Sequence, residues 1–241
     1  MKREVNGDLK ISGSGTASGG LYNNVEISGS GKVEGDIECE RFKTSGSSKI
    51  HGNVTTQFFK VSGSSHIFGH VEADSVEVSG STHIDGHLGA KQVQISGSCH
   101  VDRHLAALDL EIKGGAVIDE NCSADRFYVS GSFTINGLLN ADKIDVELYH
   151  KSYAREIGGE TINIRVGQKG FVLGKLLNSF LNNELTVDCI EGDNIYLENT
   201  IAKVVRGTNI RVGTGCQIGL VEYENQLEVI SDGEVKERRK I

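Results

Sequence analysis

An all-β fold is predicted: a three-faced β-solenoid with a single strand path and about 17 residues per turn. Three observations predict it. Ser-Gly-Ser recurs at near-constant spacing, apolar residues recur two apart on either side of it, and glycine is abundant (31 residues) in a chain with no proline. Abundant glycine without proline is unlike collagen and unlike a proline-rich linker.

The central glycine falls at Gly13, Gly29, Gly46, Gly63, Gly80, Gly97, Gly114 and Gly131, with a first interval of 16 residues and six of 17. At Gly114 the serines are lost ("IKGGAV") but the spacing holds, so the period is structural. Counting the residue two before the glycine as position 1, that column reads Ile11, Ile27, Thr44, Val61, Val78, Ile95, Ile112, Val129. Position 7 reads Ala17, Val33, Ile50, Ile67, Ile84, Val101, Ile118, Ile135, and position 11 reads Leu21, Ile37, Val54, Val71, Leu88, Leu105, Cys122, Leu139. From the second repeat, position 13 is small (Cys39, Thr56, Ala73, Ala90) and position 16 large (Phe42, Phe59, Val76, Val93). Positions 16 and 1, 5 and 7, and 11 and 13 form inward pairs, because residues two apart on a strand share a face.

Each unit is therefore three short strands and three bends. One bend is Ser-Gly-Ser, the second has glycine at position 9 (Gly35, Gly52, Gly69, Gly86), and the third is polar, as around Asp74. Glycine suits corners because it tolerates positive φ and has no side chain to clash. One unit cannot bury its apolar face, whereas stacked units share a continuous core. At about 4.8 Å per strand, eight rungs span roughly 38 Å. Helical repeats need periods of about 34 to 47 residues and are excluded by the short glycine-punctuated unit.

Residues 1–146 form the regular solenoid of eight repeats, and 147–241 a less regular, β-rich continuation. Within the latter, Leu173, Leu176, Leu177, Phe180 and Leu181 follow helical spacing and predict a short helix near 172–182, packed on the solenoid or turned to a partner or membrane. "REVNGDLK" (Arg3–Lys10) is a short N-terminal cap, and the charged tail "EVKERRKI" is expected to fray.

A net charge of −8 argues against a general nucleic-acid binder. No apolar run approaches the roughly 20 residues that span a bilayer. "MKREVNGDLK" lacks the apolar stretch of a secretory signal. Five cysteines without a CxxC suit a reducing cytoplasm.

The histidines are the residues most suited to chemistry. His66, His83 and His100 occupy position 6, and His70, His87 and His104 position 10. Both positions flank inward residues and point outward, so each set forms a column at about the 4.8 Å strand spacing. Such columns could bind Zn²⁺ or Ni²⁺. They lack an obvious group to orient the rings, however, and share their positions with Lys32, Lys49 and Thr134, or Asp36, Asn53 and Asn121, a variety that reads as solvated surface. Stacked imidazoliums would repel below about pH 6.5, so acidification is expected to weaken this section. Cys39, Cys99 and Cys122 fall on inward positions as core residues. The serines are turn residues without a base, and no dinucleotide fingerprint is present. No residue is assigned as catalytic, cofactor-binding or metal-binding.

The glycine-punctuated 17-residue turns of residues 11–146, most clearly "ISGSGKVEGDIECERFKTSGSSKIHGNV", resemble the bactofilins. The resemblance implies a right-handed β-helix that joins end to end into nucleotide-independent filaments, a bacterial scaffold for cell shape, polar organisation, envelope synthesis or motility, and no catalytic residue. The chain departs from the family pattern in its long C-terminal extension and its lack of proline-containing tails. The open ends of a β-helix agree with assembly, since an unpaired strand edge must be capped or will pair with another chain. The expected protein is thus a cytoplasmic, self-assembling cytoskeletal scaffold and not an enzyme. Further copies of the chain are its expected partners, with recruited proteins or the membrane periphery as second candidates. No cofactor, nucleic acid or small-molecule substrate is expected. Two rival readings are a hexapeptide-repeat-like transferase, whose register the missing eighteenth residue breaks, and a non-polymerising binding solenoid.

Overall fold

Parallel strands stack in the register that the repeat dictates. The computed structural model describes residues 6–167, 183–230 and 232–241. The chain divides into two compact units, one up to Glu120 and one from Asn121.

The first unit contains β1 (Leu9–Ile11), β2 (Ser14–Ile27), β3 (Ser30–Thr44), β4 (Ser47–His51), β5 (Val54–Val61), β6 (Ser64–Ile67), β7 (Val71–Val78), β8 (Ser81–Ile84), β9 (Leu88–Ile95), β10 (Ser98–Val101), β11 (Leu105–Ile112) and β12 (Gly115–Ile118). From β4 on, a turn consists of one short and one long strand. The short strands stack as β4–β6–β8–β10–β12 and the long ones as β5–β7–β9–β11, all parallel. Val54, Val71 and Leu88 share a column, as do Phe59, Val76 and Val93. The polar bend at position 14 does not separate two strands, as the repeat implied. It is one skipped partner inside a continuous ladder, between the pairs Ala73↔Ala90 and Ser75↔Gln92.

Positions 1, 7, 11 and 16 are buried throughout this ladder, and the Phe42 and Phe59 rings stack at 5.0 Å in the core. Position 13 is shallower, with Ala73, Ala90 and Ala107 only half-buried. The first turn corrects the predicted columns. Gly20, not Leu21, pairs with Ile37, because a bulge between Ser18 and Gly20 absorbs the missing residue. Leu21 then pairs with Glu38 and is only half-buried. Asn6 to Ile11 cover the last face of this turn, with Asn6 N–H donating to the Leu21 carbonyl and Asp8 Oδ1 accepting from Asn24.

The Ser-Gly-Ser corner glycine is required for clearance, not for positive φ. Among the described glycines, positive φ occurs at Gly7, Gly20, Gly35 and Gly215, none of them in the Ser-Gly-Ser corner column. A Cβ on Gly29, Gly46, Gly63, Gly80, Gly97 or Gly114 would instead lie well inside van der Waals contact of the preceding corner's carbonyl oxygen. That explains why the glycine persists at Gly114 where the serines do not.

The second unit contains β13 (Cys122–Val129), β14 (Ser132–Leu148), β15 (Ser152–Val166), β16 (Leu185–Leu197), β17 (Thr200–Val212), β18 (Gln217–Val229) and β19 (Glu234–Lys240), paired in parallel in that order. Here the spacing varies. Ile144 pairs with Ile162, eighteen residues on, Ile190 with Val205, fifteen on, and Val205 with Val221, sixteen on. The helix expected near 172–182 lies outside the described residues. The tail is not frayed. β19 pairs with β18, and Arg239 holds Glu222 at 2.7 Å. Its backbone register sets the exposed Arg238 at the end of the buried column Ile157, Ile190, Val205, Val221.

The corner geometry predicts opposite outcomes for two chemically identical changes. Gly63→Ala must push apart two rungs and should destabilise the chain by about 2 kcal/mol or more, whereas Gly13→Ala, whose Cβ would meet nothing within 4 Å among the described residues, should stay within about 0.5 kcal/mol. Urea unfolding followed by circular dichroism measures both.

Candidate functional site

The outward positions next to buried position 7 carry the chemistry of the first unit. On either side of Ile67, Ile84 and Val101 stand positions 6 and 8, both pointing out. In-register pairing of β6, β8 and β10 places His66, His83 and His100 directly in line. Their rings stack with centroids 4.7 Å apart and interplanar angles of 1° and 5°. This is the column that the repeat predicts.

The repeat reading left out the groups that orient these rings. Position 8 carries Asp85, Asp102 and Asp119, each reaching back to the histidine of the preceding rung. The Nε2–carboxylate distances are 2.6 Å for His66–Asp85, 2.6 Å for His83–Asp102 and 3.1 Å for His100–Asp119. Each of the first two carboxylates also approaches the histidine of its own rung, Asp85 lying 3.7 Å from His83 and Asp102 3.5 Å from His100. Imidazoles and carboxylates therefore interleave along the face, correcting the expectation that the rings lack an orienting group. The signal was present as His-x-Asp at 83–85 and 100–102. Two residues on a strand separate neighbours on one face, so the aspartates share the outward face of the histidines. At the other end the column closes on aromatic rings. Phe68 stacks on His66 at 3.9 Å, and His51 on Phe68 at 4.2 Å.

The position-10 column has a different basis. His70 stacks on His87 at 4.0 Å, and His87 on His104 at 4.9 Å. The mixed residue types here are not mere solvated surface. Asp36 Oδ1 accepts the Asn53 N–H at 2.7 Å, Asn53 Oδ1 the His70 N–H at 2.9 Å, and His70 Nδ1 the His87 N–H at 3.0 Å. In the second unit Asn121 Oδ1 accepts the Leu138 N–H at 2.9 Å. Aspartate, asparagine and histidine are interchangeable here because each offers a short-range acceptor to a backbone N–H of the next rung. The acceptor crosses the space where the next position-9 residue would carry a Cβ, which is why Gly69 and Gly86 stand opposite Asn53 and His70.

His70 must keep Nδ1 unprotonated to accept this bond. Partial desolvation of the ring, together with the charges of His87, Arg103 and His104, holds its pKa below the usual 6.5, against a smaller opposing pull from Glu72. His87 Nε2 also bonds Glu72 Oε1 at 2.7 Å.

The cysteines lie where the repeat put them. Cys39, Cys99 and Cys122 are buried, and loss of solvation pushes the thiols of Cys99 and Cys122 up to about 12. Cys216 is also buried and raised to about 11, while Cys189 is only half-buried. None is placed or ionised as a nucleophile would be.

With this geometry in hand, the comparisons with known proteins become specific. The family model described as "Bactofilin: Polymer-forming cytoskeletal" matches residues 2–88 and 47–123. The chain is 62% identical to YhbE, an uncharacterized protein of Bacillus subtilis (strain 168), over 216 residues, covering 89% of this chain and 90% of that one. It is 42% identical to the uncharacterized YhbF of the same organism over 106 residues, 44% of this chain and 42% of that one. No solved structure matches it. Its stacked parallel rungs are those of a polymer-forming cytoskeletal protein, and the chain belongs to the bactofilin family. That family is structural rather than enzymatic. Among the described residues, no helix is long and apolar enough to cross a membrane.

Two outcomes are expected from this chemistry. With a thiol reagent at pH 8, the native protein should expose one reactive cysteine, slowly, and all five after unfolding, and Cys189→Ser should remove the native reaction. For His70, a folded pKa below the unfolded value means that the unfolded chain takes up the proton first. Stability should therefore fall as pH drops below about 6.5. His70→Asn, which keeps the acceptor and loses the titration, should flatten the melting temperature between pH 8 and pH 5.5 relative to the parent chain.

Proposed function

We propose that the chain is a self-assembling cytoskeletal scaffold of the cytoplasm, in which copies dock through the first turn of the solenoid and the surface recruits other proteins for cell shape, envelope or motility functions. The observation that carries this reading is the character of that first turn. From Ser12 to Gly20 it holds only serine, glycine, threonine and alanine, with no charge. Among the described residues, strand β2 pairs over Ser14–Ser18 with β3 alone. A Cβ built on its corner residue, Gly13, would meet nothing within 4 Å among the described residues, yet glycine is what later rungs need at this corner for clearance beneath a neighbour. A rung of a second copy seated below Gly13 would need that clearance too. An uncharged edge of this kind favours pairing with another chain. Membership of a polymer-forming family supports the same reading.

The last strand of the second unit is chemically different. Strand β19, "EVKERRK", is charged at six of seven residues and brings Arg238 into line with the core. Charged residues on an edge strand oppose strand pairing, so docking is assigned to the first turn.

Electron microscopy and sedimentation of the untagged chain test the proposal. Filaments, sheets or reversible higher oligomers are expected. Gly13→Ala, neutral for stability, should raise the concentration needed for assembly at least tenfold. Discrete trimers would favour the hexapeptide-repeat-like alternative and monomers a binding solenoid, and either result overturns self-assembly.

A further inference from the structure

We propose that the interleaved histidine–aspartate face is a binding site for one borderline divalent transition ion, Zn²⁺ or Ni²⁺, held by His83, His100 and Asp102. The side-chain ligand atoms of these three residues lie within 4.8 Å of one another and are half-exposed, open to an ion from solution. Asp102 Oδ1 lies 2.6 Å from His83 Nε2 and 3.5 Å from His100 Nε2. Two ligands on a tetrahedral ion at about 2.0 to 2.2 Å stand roughly 3.3 Å apart, so both carboxylate separations already bracket the distance required. Only the stacked rings must converge, by tilting their Nε2 edges toward each other.

Two imidazoles and one carboxylate form a donor set for zinc, nickel, copper or iron rather than for magnesium or calcium. Binding uses the Nε2 lone pair of each neutral imidazole, whose N–H then lies on Nδ1, and frees the carboxylate oxygen for the ion. The carboxylate that orients the ring in the empty site becomes a ligand in the filled one. Water, or a donor from a second molecule, completes the coordination.

A second triad, His66, His83 and Asp85, overlaps the first. It cannot fill at the same time, because His83 Nε2 serves one ion only. It is also the stiffer of the two. Phe68 stacks on His66 at 3.9 Å and resists the tilt, whereas His100 meets on its far side the longer 3.1 Å contact to Asp119. The site is thus assigned to the later pair of rungs, with a stoichiometry of one.

Calorimetric titration of the untagged full chain with Zn²⁺ and with Ni²⁺ at pH 7.5 tests this. About one ion per chain is expected. His100→Ala and Asp102→Asn should each weaken binding at least tenfold, while His104→Ala, in the neighbouring column, should change it less than twofold. Melting curves in chelator confirm that these surface variants remain folded. Absence of uptake, uptake unchanged in Asp102→Asn, or loss in His104→Ala would overturn the assignment.

Discussion

Every regular feature of the first unit depends on one steric condition: the corner of each rung rests on the carbonyl of the corner before it. The approach is too close for a Cβ, so the corner is glycine at Gly29, Gly46, Gly63, Gly80, Gly97 and Gly114. Meeting that condition at the same point of every turn locks the rungs in phase. Once in phase, position 7 falls on position 7 and position 11 on position 11, and the apolar columns close into a core with little exposed area. Parallel stacking in phase also aligns the outward residues, so a surface property repeats along a column as surely as a buried one.

This alignment gives polar side chains a role that isolated strands cannot. At position 10 they accept backbone N–H groups that the ladder leaves unpaired at a bend, and burying or stranding such a donor would cost free energy. At positions 6 and 8 they pair diagonally between rungs. Surface ion pairs of this kind contribute little individually, so the histidine–aspartate face is better understood through its shape than through its stability. It presents nitrogen and oxygen donors at a fixed pitch.

Much of this was legible in the sequence, because a strand period of two and a turn period of 17 specify inward and outward positions without coordinates. The core columns, the buried cysteines and both histidine columns follow from counting. What counting missed has physical causes. Leu21 was misplaced because a one-residue deletion can be absorbed at any bend, and only the pairing shows the bulge between Ser18 and Gly20. The aspartates were missed because they pair with the histidine of the previous rung, a relation nineteen residues long, while the local His-x-Asp spacing shows only that the two share an outward face. The tail read as frayed because its charges hide the backbone ladder that holds it. In the second unit, turns of 15, 16 and 18 residues erase the repeat from the text while preserving the stacking, since extra or missing residues sit at bends and not on the faces.

The glycine corner also bears on how such a chain can change in length. A gene that gains or loses one whole turn keeps every corner contact, because the new rung offers the same carbonyl to one neighbour and the same bare Cα to the other. Gains of any other size must be hidden in a bulge or must abandon the pattern. Over generations the regular half can therefore lengthen or shorten in steps of one strand spacing, about 4.8 Å. It is a ruler graduated in glycines, and its span is set by recombination rather than by redesign of the core.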